Sequence, residues 1–362
     1  MAKAVDYLIV GQGLAGSLLA WELLQRGFRV MVVDNGQENA SQIAAGLINP
    51  VTGMRLVKSA DSEVLLPAAK QRYAQLAAFF RQDFYVEKPM LRLFRSQAEA
   101  QQAAQRQANP EYHAYLGDIY PTAKHLDGLL TPYGYLVQKQ TGYLLTKSLL
   151  ACLKDFFIAN HSYQQSDFCY QQLQITPKLS WQNLAPKQVV FCQGYQAMNN
   201  PWFAWLPFQA VKGEILNLRH QGVYLPDYLL NYGRWLLPLD DKECRIGATF
   251  DHQTLDCQTT AAAAQQLLTA VADIAPALAQ AQISQHKANI RPCTVDKKPF
   301  IGRHPQLPQL AIFNGFGAKG SLQIPWYSQQ FADSLSTNAP PPANIQRHYA
   351  THFLNQPRPA IT

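Results

Sequence analysis

The sequence predicts an α/β protein of two domains: a doubly wound, Rossmann-like domain and a second domain built on an antiparallel sheet. Three observations lead to this prediction. The chain of 362 residues is longer than a single domain usually is. Its first forty residues read as strand, glycine turn, helix and strand, which is typical of a parallel βαβ unit. Later segments of strand composition lie at 89–95, 134–141, 209–218 and 234–249, and the last has a polar turn near 240–242.

The first βαβ unit contains a glycine turn with the spacing GxGxxG, in the segment DYLIVGQGLAGSLLAWELL. Gly11, Gly13 and Gly16 follow a short apolar strand at residues 7–10, and a helical repeat begins after them. In a dinucleotide-binding turn the first glycine permits the sharp bend, the second lets the backbone approach a pyrophosphate, and the third lets helix and strand pack closely. Because both strands and the helix are in register, this interpretation is favoured over a glycine-rich turn of another α/β fold.

The helix after the turn and the acid after the second strand supply polar contacts for a dinucleotide. The helix N-terminus, at Leu14 and Ala15, offers free amides and the positive end of the helix dipole to a phosphate. Asp34 closes the second strand, at residues 29–33, and its carboxylate can accept hydrogen bonds from both hydroxyls of a ribose. An acid here disfavours a 2′-phosphate, and with it NADP, but does not separate FAD from NAD.

The composition is that of a well-folded protein with a basic balance. Hydrophobic residues make up 48% of the chain and charged residues 15%, which argues against disorder. The formal net charge of +7 favours anionic ligands, nucleic acid among them. The six cysteines form no CxxC pair, so we expect reduced thiols and no metal site. Since neither a signal-peptide pattern nor an apolar run of about 20 residues is present, we expect a cytoplasmic protein without membrane contact.

The loop ASQIAAGLINPVTGMR, at residues 40–55, resembles the flavin-lining loop of the D-amino-acid oxidase family of FAD enzymes, which includes glycine oxidase. Five residues match the Ser-x-x-x-Ala-Gly pattern that runs along the flavin in that family: Ser41, Gln42, Ala45, Gly46 and Leu47. Small residues at this place leave room for a large flat ring against the backbone. An ordinary loop of small residues is the alternative that the residues alone leave open. The resemblance implies FAD as the cofactor.

Two later segments are similar to further FAD-binding parts of the same family. In KQVVFCQGYQA (187–197), an apolar strand ends at Gly194, as in the strand that closes over the ADP half of the cofactor. LAIFNGFGAKGSLQIP (310–325) runs from a strand through a glycine loop into a helix. We expect its exposed amides to hold the flavin pyrimidine carbonyl and to stabilise negative charge on the reduced ring. The loop residues concerned are Gly315, Gly317, Ala318, Lys319 and Gly320.

The resemblance implies that the cofactor is held without a covalent bond. Sarcosine oxidases, which belong to the same family, attach their flavin through a cysteine, and Cys293 invites the same idea. Aligning the Thr-x-Asp segment, however, places that cysteine nearer Asn289. Cys293 is more simply a small residue where glycine oxidase has glycine. We therefore expect non-covalent FAD.

Arg291, in the segment NIRPCTVDKKPFIG (289–302), resembles the arginine with which glycine oxidase holds the carboxylate of its substrate. A carboxylate would give a partly buried guanidinium two charge-assisted hydrogen bonds, and Pro292 stiffens the backbone that aims it. From the residues alone, a permanent salt bridge to Asp296 or Glu214 is the alternative. The resemblance favours a substrate that is an amine bearing a carboxylate.

The hairpin YGRWLLPLDDKECRIGATF (232–250) is similar to the glycine oxidase hairpin that presents side chains to the substrate. Trp235 and Phe250 fall at the matching places, although core packing suits Phe250 equally well. Tyr232 is a further candidate hydrogen-bond donor. We expect Arg291, Lys319 and Trp235 to be the residues of catalysis.

The resemblance implies an FAD-dependent amine oxidase or dehydrogenase. Its substrate would be an amine of the glycine, sarcosine or D-amino-acid type, which passes a hydride to flavin N5 when the two are aligned. FAD supplies the redox chemistry, so the protein has to place and polarise the substrate. This agrees with a sequence in which no Ser-His-Asp or Cys-His constellation stands out.

Two departures from glycine oxidase suggest a rival function. The basic residue of the glycine loop is Lys319, one position later than in glycine oxidase, and Pro50 follows the small-residue loop. Both features fit the flavin domain of the bifunctional tRNA 5-methylaminomethyl-2-thiouridine biosynthesis enzyme. That enzyme removes a carboxymethyl group from a modified uridine amine. A tRNA modification enzyme is therefore one alternative. A flavoprotein that binds FAD without turnover is another.

The order of the segments predicts a discontinuous FAD-binding domain, made of residues 1–87, 142–208 and 285–362. Residues 88–141 and 209–284 would form the substrate domain. Helices are predicted at 63–82, 96–108 and 259–282, the last interrupted at Pro276.

Overall fold

The computed structural model describes residues 2–122, 126–337 and 339–354. The chain divides into two compact units. Unit 1 consists of Met1–Gln42, Thr146–Val211 and Arg291–Thr362, and unit 2 consists of Ile43–Leu145 and Lys212–Ile290. In the part of the chain that is described, no helix combines the length and the apolar character that crossing a bilayer demands.

The regular elements follow the predicted order closely. The α-helices of the described residues are α1 (Leu14–Gln25), α2 (Ala40–Ile43), α3 (Ser62–Phe80), α4 (Gln97–Gln107), α5 (Thr146–Ala159), α6 (Ala261–Ala272) and α7 (Gly320–Thr337). The strands are β1 (Lys3–Val10), β2 (Val30–Asp34), β3 (Leu47–Ile48), β4 (Val51–Thr52), β5 (Val57–Lys58), β6 (Tyr85–Glu87), β7 (Met90–Leu93), β8 (Leu116–Tyr120), β9 (Tyr135–Gln138), β10 (Gly142–Leu144), β11 (Tyr163–Gln165), β12 (Leu173–Gln174), β13 (Ser180–Trp181), β14 (Leu184–Phe191), β15 (Val211–Arg219), β16 (Leu229–Asn231), β17 (Trp235–Pro238), β18 (Glu243–Gly247), β19 (Gln282–Arg291), β20 (Phe300–Arg303) and β21 (Leu310–Asn314).

Unit 1 is a doubly wound α/β unit, as predicted. Its parallel strands lie in the order β11, β2, β1, β14 and β21, and β20 adds an antiparallel edge. The central strands are buried on both faces, which explains their continuous apolar sequences. Because parallel strands end at the same edge, the residues that follow β1, β2, β14 and β21 meet there, where α/β sheets bind their ligands.

Unit 2 is built on an eight-stranded sheet in the order β19, β15, β18, β17, β16, β7, β9 and β8. The predicted antiparallel sheet is present: β15 with β18, β18 with β17, β17 with β16, β7 with β9, and β9 with β8 are antiparallel pairs, whereas β16 and β7 run parallel. One face packs against α6 through a core that includes Leu216, Leu236 and Ile246. Side chains alternate along a strand, so Trp235 and the other residues in between lie on the opposite side, which we call the Trp235 face.

The boundary between the units differs from the prediction at residues 43–87, which belong to unit 2. The reason is strand pairing that a local reading cannot supply. β10 pairs with β3 on one side and with β6 on the other, so it holds residues 47–48 and 85–87 in one small sheet. Residues 142–145 are drawn into unit 2 by the same pairing.

His304, in unit 1, predicts a loss of stability in mild acid. The residue is 6% exposed, and its Nδ1 accepts hydrogen bonds from the amides of Gln306 (3.2 Å) and Leu307 (3.1 Å). Burial lowers the pKa of His304 from 6.5 to about 4. Because the pKa in the folded protein is the lower one, the neutral imidazole stabilises the fold fully above pH 6.5. This contribution is lost as the pH falls from there toward 4.

The substitution His304→Asn tests this assignment, because the amide oxygen can accept hydrogen bonds but cannot titrate. Between about pH 7 and about pH 5, we expect the variant to lose less stability than the wild type, as measured by urea unfolding. The exposed His161 provides the control, and His161→Asn should leave the pH dependence unchanged. An identical pH dependence in wild type and His304→Asn would contradict the assignment.

Candidate active site

Glycine is required at two positions of the turn between β1 and α1. Gly11 has a φ of +106°, and a Cβ there would lie 2.6 Å from the carbonyl oxygen of Cys192. A Cβ on Gly16 would collide with the carbonyl oxygen of Gly11. The two glycines therefore let α1 and the end of β14 approach the turn, which is the packing that the GxGxxG spacing predicts.

The N-terminus of α1 forms a polar cradle at Gly13. Gly13 is the N-cap residue and makes no side-chain cap, and the amide of Leu14 donates to Ser41 Oγ at 3.1 Å. A Cβ on Gly13 would lie 3.5 Å from Ser41 Oγ and 3.9 Å from Asn39 Oδ1, so polar atoms line the space that it would fill. An anion in this space would meet the first amides of α1, including that of Ala15, together with the Ser41 hydroxyl.

A reciprocal cap holds the short helix α2 and positions Ser41. Asn39 Oδ1 accepts hydrogen bonds from the amides of Ser41 (3.1 Å) and Gln42 (3.3 Å), and Gln42 Oε1 accepts one from the Asn39 amide (2.9 Å). This is a capping-box arrangement, with asparagine as the cap. The Gln42 side chain, expected to contact the cofactor, is thus used to hold the loop that presents Ser41.

Asp34 lies where the prediction placed it, at the end of β2. Its Oδ2 accepts a hydrogen bond from the Gln12 amide (2.7 Å) and its Oδ1 one from the Gly36 amide (2.8 Å). Each oxygen keeps a second lone pair with which to accept a hydroxyl. On the neighbouring strand β11, burial and then the negative charge of Asp34 raise the pKa of Tyr163 to about 12. The carboxylate is therefore both oriented by backbone amides and able to accept further donors.

Asn314 brings two of the predicted glycine segments together. Its Nδ2 donates to the carbonyl oxygen of Gly194 at 2.8 Å, and its Oδ1 accepts from the amide of Gly315 at 2.8 Å. Gly194 begins a helical turn three residues after β14 ends, so the strand itself stops earlier than predicted. Because Asn314 is buried, its hydrogen bonds set the spacing between the ends of β14 and β21.

The segment that contains Arg291 lies against the glycine loop within unit 1. The Gly317 amide donates to the carbonyl oxygen of Pro292 at 3.2 Å, and a Cβ on Gly317 would lie 3.1 Å from Cys293 Sγ. Burial raises the pKa of the Cys293 thiol, and the charge of Arg291 partly offsets this. Arg291 is half-buried and ends β19. The structure therefore places it within two residues of the contact with the loop.

Lys319 occupies the N-terminus of α7. Its carbonyl oxygen accepts hydrogen bonds from the amides of Leu322 (3.1 Å) and Gln323 (3.0 Å), and Gly320 begins the helix. Burial, and then repulsion from Lys297, lower the pKa of the Lys319 ammonium. The side chain is half-buried, whereas the neighbouring Ala318 is exposed. A positive charge thus lies beside the positive end of a helix dipole, where it would favour an anionic group.

The two carboxylates considered as partners of Arg291 are engaged by other groups. Asp296 accepts hydrogen bonds from Arg347 Nε (2.8 Å) and the Lys298 amide (3.0 Å), and these outweigh the effect of burial and lower its pKa. Glu214 accepts from the amide (2.8 Å) and hydroxyl (3.0 Å) of Thr260. Each carboxylate therefore ties together segments of its own unit.

In unit 2, the small-residue loop and Trp235 share one hydrophobic neighbourhood. Ala45 and Gly46 are buried, and Leu47 packs on a cluster of Met90, Leu229 and Leu237 that Trp235 also contacts. The indole lies over Gly247, where a Cβ would be 2.5 Å from Trp235 Cζ2. The absence of a side chain at Gly247 therefore makes room for the Trp235 ring on this face of the sheet.

Of the weaker expectations about this hairpin, the role of Tyr232 and the core-packing alternative for Phe250 are wrong, whereas the presentation of Phe250 to a substrate stays a prediction. Tyr232 is 5% exposed and packs into the core on the α6 side, so it does not lie on the Trp235 face. Burial raises its pKa strongly. Phe250 is 61% exposed and so is not a core residue, and its ring lies 6.0 Å from the Arg234 guanidinium carbon. Alternation along the strands ends at the turns, which is why these two positions could not be assigned from sequence.

Several residues that hold the site together were missed from the sequence. The Gln12 side chain donates to Ser17 Oγ (3.1 Å) and to the carbonyl oxygen of Leu150 (3.0 Å), which fixes the turn against α5. Asn39 and Asn314 orient their loops in the same way. Only Asn39 had a usable signal, because Asn-x-x-Gln before a short helix is typical of a cap. The partners of Gln12 and Asn314 are distant in sequence and give no local pattern.

Comparison with known proteins agrees with this arrangement. A family model described as FAD dependent oxidoreductase, DAO, matches residues 6–334. The chain belongs to this family. Its cofactor is accordingly FAD. The match includes the glycine turn, the small-residue loop, the Arg291 segment and the glycine loop before α7.

Relatives of this FAD-dependent oxidoreductase include glycine oxidases. The chain is 26% identical over 349 residues to glycine oxidase of Pseudomonas aeruginosa, covering 92% of this chain and 95% of the relative. It is 24% identical over 375 residues to the tRNA 5-methylaminomethyl-2-thiouridine biosynthesis bifunctional protein of Acinetobacter baylyi, covering 97% of this chain but 56% of that protein. The crystal structure of glycine oxidase from Geobacillus kaustophilus has a TM-score of 0.82 at 22% identity, covering 96% of this chain and 99% of that one. The fold is therefore that of glycine oxidase.

Proposed function

We propose that this FAD-dependent oxidoreductase oxidises an amine that bears a carboxylate, of the glycine, sarcosine or D-amino-acid type. The observation that supports the proposal most directly is the contact between the Gly317 amide and the Pro292 carbonyl oxygen. It places the segment of Arg291 against the glycine loop of unit 1, and in glycine oxidase-like sequences these two segments serve substrate and flavin. The identity to glycine oxidase along most of the chain supports the same chemistry.

The residues present fit FAD. The cradle at Gly13 would take the pyrophosphate between the first amides of α1, at Leu14 and Ala15, and the Ser41 hydroxyl. Asp34 would accept the ribose hydroxyls with its free lone pairs. The remaining residues proposed to line the cofactor are Gly11, Gly16, Gln42, Ala45, Gly46, Leu47, Gly194, Gly315, Gly317, Ala318, Lys319 and Gly320.

Three side chains are proposed as the residues of catalysis: Arg291, Trp235 and Lys319. Arg291 would hold the carboxylate by two hydrogen bonds, which fixes both the position and the orientation of the α-carbon. The Trp235 indole, on its face of the unit 2 sheet, would contribute an apolar surface. Lys319, at the positive end of α7, would stabilise negative charge that develops near it.

The proposed oxidation does not require a strong base from the protein. The α-C–H bond breaks, a C=N bond forms, and the amine proton leaves to solvent. FAD, when bound, accepts the hydride with its two electrons. Water then adds to the imine and releases an oxo acid and an amine. The chain therefore has to supply orientation and exclusion of water, which agrees with the residues found.

Anaerobic reduction of the flavin tests the proposal. The purified holoenzyme would be mixed with glycine, sarcosine, D-alanine and D-proline, and loss of the flavin absorbance would be followed. We expect at least one of these amines to bleach the flavin, and ethylamine, which lacks the carboxylate, to fail. If neither these amines nor carboxymethylaminomethyl-modified tRNA bleaches the flavin while dithionite does, the chain would instead be a module that binds FAD without turnover.

A second candidate is the same oxidation carried out on a modified uridine of tRNA. Its supporting observations are the similarity to the Acinetobacter baylyi protein and the distribution of charge. Unit 1 contains 14 Lys and Arg against 8 Asp and Glu, whereas unit 2 contains 17 against 16. A basic unit favours a polyanion. Flavin reduction by carboxymethylaminomethyl-modified tRNA, with fully modified tRNA as the control, would decide for this candidate.

A further inference from the structure

Arg347 ties the C-terminal segment of unit 1 to residues 294–298, which we call the clamped turn. Its Nε donates a hydrogen bond to Asp296 Oδ2 at 2.8 Å. Its Nη2 donates to the carbonyl oxygens of Lys298 at 3.3 Å and Pro299 at 3.0 Å. One side chain thus bonds a carboxylate within the turn and two carbonyl groups where the turn ends. The guanidinium therefore holds the two sides of the turn together.

The direction of the Arg347 guanidinium is fixed from its own segment. Its Nη1 donates to the carbonyl oxygens of Ala343 and Asn344, the latter at 3.0 Å. The guanidinium carbon lies 5.5 Å from the centre of the Phe300 ring, which adds a cation–π contact. Asn344 also forms a parallel bridge with Ile301 of β20. Because the planar fork of donors has several partners at once, this arginine has a defined geometry that an isolated surface ion pair lacks.

The clamped turn has a backbone that needs such support. The Lys298 amide donates to Asp296 Oδ1 at 3.0 Å, and Thr294 Oγ1 donates to the Lys298 carbonyl oxygen at 2.9 Å. Lys297, between them, has a φ of +59°, a left-handed conformation that is unfavourable for a residue with a side chain. Strained backbone of this kind persists where the surrounding contacts over-determine it. Arg347 and Asp296 supply those contacts here.

The inner side of the clamped turn contacts the glycine loop. Thr294 is 3% exposed, and a Cβ on Gly315 would lie 2.8 Å from Thr294 Cγ2. Two residues earlier, the Pro292 carbonyl oxygen accepts a hydrogen bond from the Gly317 amide at 3.2 Å. Arg291 directly precedes Pro292, so it lies three residues from the clamped turn in a segment that proline stiffens. A displacement of the turn would therefore displace Arg291.

We propose that Arg347 is a positioning residue for substrate binding: by holding the clamped turn, it keeps Arg291 where it can take the carboxylate. This inference rests on the proposed function, in which Arg291 holds that group. Arg347 acts through the turn and needs no contact with the substrate. Because a bidentate hydrogen bond depends on both distance and angle, a small displacement of the Arg291 guanidinium weakens it.

Binding of propionate provides the first test and requires no turnover. Propionate would be titrated into the oxidised holoenzyme, with the flavin spectrum as the readout. We expect Arg347→Gln to raise the dissociation constant by about tenfold, since the two hydrogen bonds from Arg291 become poorly aligned. Arg347→Lys keeps the charge beside Asp296 but loses the fork of donors, and should recover part of the affinity. Asp296→Asn, which can still accept from the Lys298 amide, should weaken binding in the same direction.

Arg303→Gln is the matched control, because Arg303 is an arginine of unit 1 that also bonds backbone carbonyls. Its Nη2 donates to the carbonyl oxygens of Ser334 at 3.5 Å and Leu335 at 3.2 Å, near the end of α7. Arg303→Gln should lower the midpoint of urea unfolding and leave the dissociation constant of propionate unchanged. If Arg303→Gln and Arg347→Gln weakened propionate binding equally, the effect would be one of general stability and the inference would be overturned.

A double-mutant cycle provides the second test, with kcat/KM for anaerobic flavin reduction by an amine that the wild type oxidises. Arg347→Gln should lower kcat/KM by about tenfold in the wild type. In the Arg291→Gln background the same substitution should lower it by less than about twofold, because the residue through which it acts is already gone. Effects that simply multiply would show that Arg347 acts independently of Arg291, contrary to the inference.

The outcomes separate this inference from the proposed function. If the wild type binds propionate and Arg347→Gln binds it equally well, the inference alone is overturned. If propionate does not bind the wild type and no amine reduces its flavin, the proposed function fails and the inference fails with it. Should Arg347→Gln not fold, Arg347→Lys and Asp296→Asn decide the question, because each removes only part of the contact.

Discussion

Arg291→Gln is expected to lower kcat/KM for carboxylate-bearing amines by about a hundredfold to ten-thousandfold. Each of two charge-assisted hydrogen bonds to a carboxylate contributes about 1.5–3 kcal/mol, and glutamine supplies neither the charge nor the fork of donors. The fall should appear in the rate of anaerobic flavin reduction and in the dissociation constant of propionate. The FAD content of the purified variant should equal that of the wild type, since Arg291 is not among the residues proposed to hold the cofactor.

Two further variants make this expectation specific. Arg291→Lys keeps the charge but loses the bidentate geometry, and should therefore recover only part of the activity. Arg29→Gln removes an arginine that is exposed and paired with Asp6 on the surface of unit 1, and should have no effect on reduction. If Arg291→Gln reduced its flavin at the wild-type rate, the carboxylate would be bound elsewhere.

Gly13→Ala is expected to abolish tight binding of FAD while leaving the fold intact. The backbone at Gly13, with φ −72° and ψ −177°, is one that alanine adopts freely. Its Cβ would make only ordinary contacts, at 3.5 Å to Ser41 Oγ and 3.9 Å to Asn39 Oδ1. The methyl group would, however, occupy the cradle proposed for the pyrophosphate. We expect a colourless protein whose apo form unfolds like wild-type apoprotein, with a dissociation constant for FAD raised by about a hundredfold or more.

Alanine substitutions at two other glycines distinguish a loss of FAD binding caused by a filled cradle from one caused by backbone strain. Gly11→Ala should destabilise the apoprotein as well, because its Cβ would meet the Cys192 carbonyl oxygen. Gly222 also has a positive φ (+66°), but a Cβ there would have no neighbour within 4 Å. Gly222→Ala should therefore cost only backbone strain of about 1–2 kcal/mol and leave FAD affinity unchanged. A yellow Gly13→Ala protein with wild-type affinity would place the pyrophosphate away from α1.

The parts of the fold that could be predicted are those whose cause is local. The strand, glycine turn and helix at the start of the chain are encoded within about thirty consecutive residues, and their bounds agree with the prediction to within a few positions. The hairpin of β17 and β18 was predicted for the same reason, since a polar turn separates two alternating segments. The fold class and the FAD-dependent family were therefore accessible from short patterns.

The domain boundary at residues 43–87 could not be predicted from sequence. β10 lies about ninety residues from its partner β3, and the sequence of neither strand indicates that the two pair. Tyr232 was misplaced because its orientation is decided by the turn before β17 rather than by alternation within it. In the proposed site, the same limit hid Asn314, whose partner Gly194 lies 120 residues away.

By itself, the sequence determined the fold class and the FAD-dependent family, through a βαβ unit with its glycine turn, an acid at the end of β2, and an arginine in a stiff segment. These features depend on backbone conformation and side-chain type, which are properties of a few neighbouring residues. Only the tertiary structure decided which of them meet. Examples are the hydrogen bond from the Gly317 amide to the Pro292 carbonyl oxygen and the pairing of Asn217 with Arg245 in neighbouring strands. Such contacts form because two distant segments bury surface and satisfy their polar groups together, and neither segment alone predicts them.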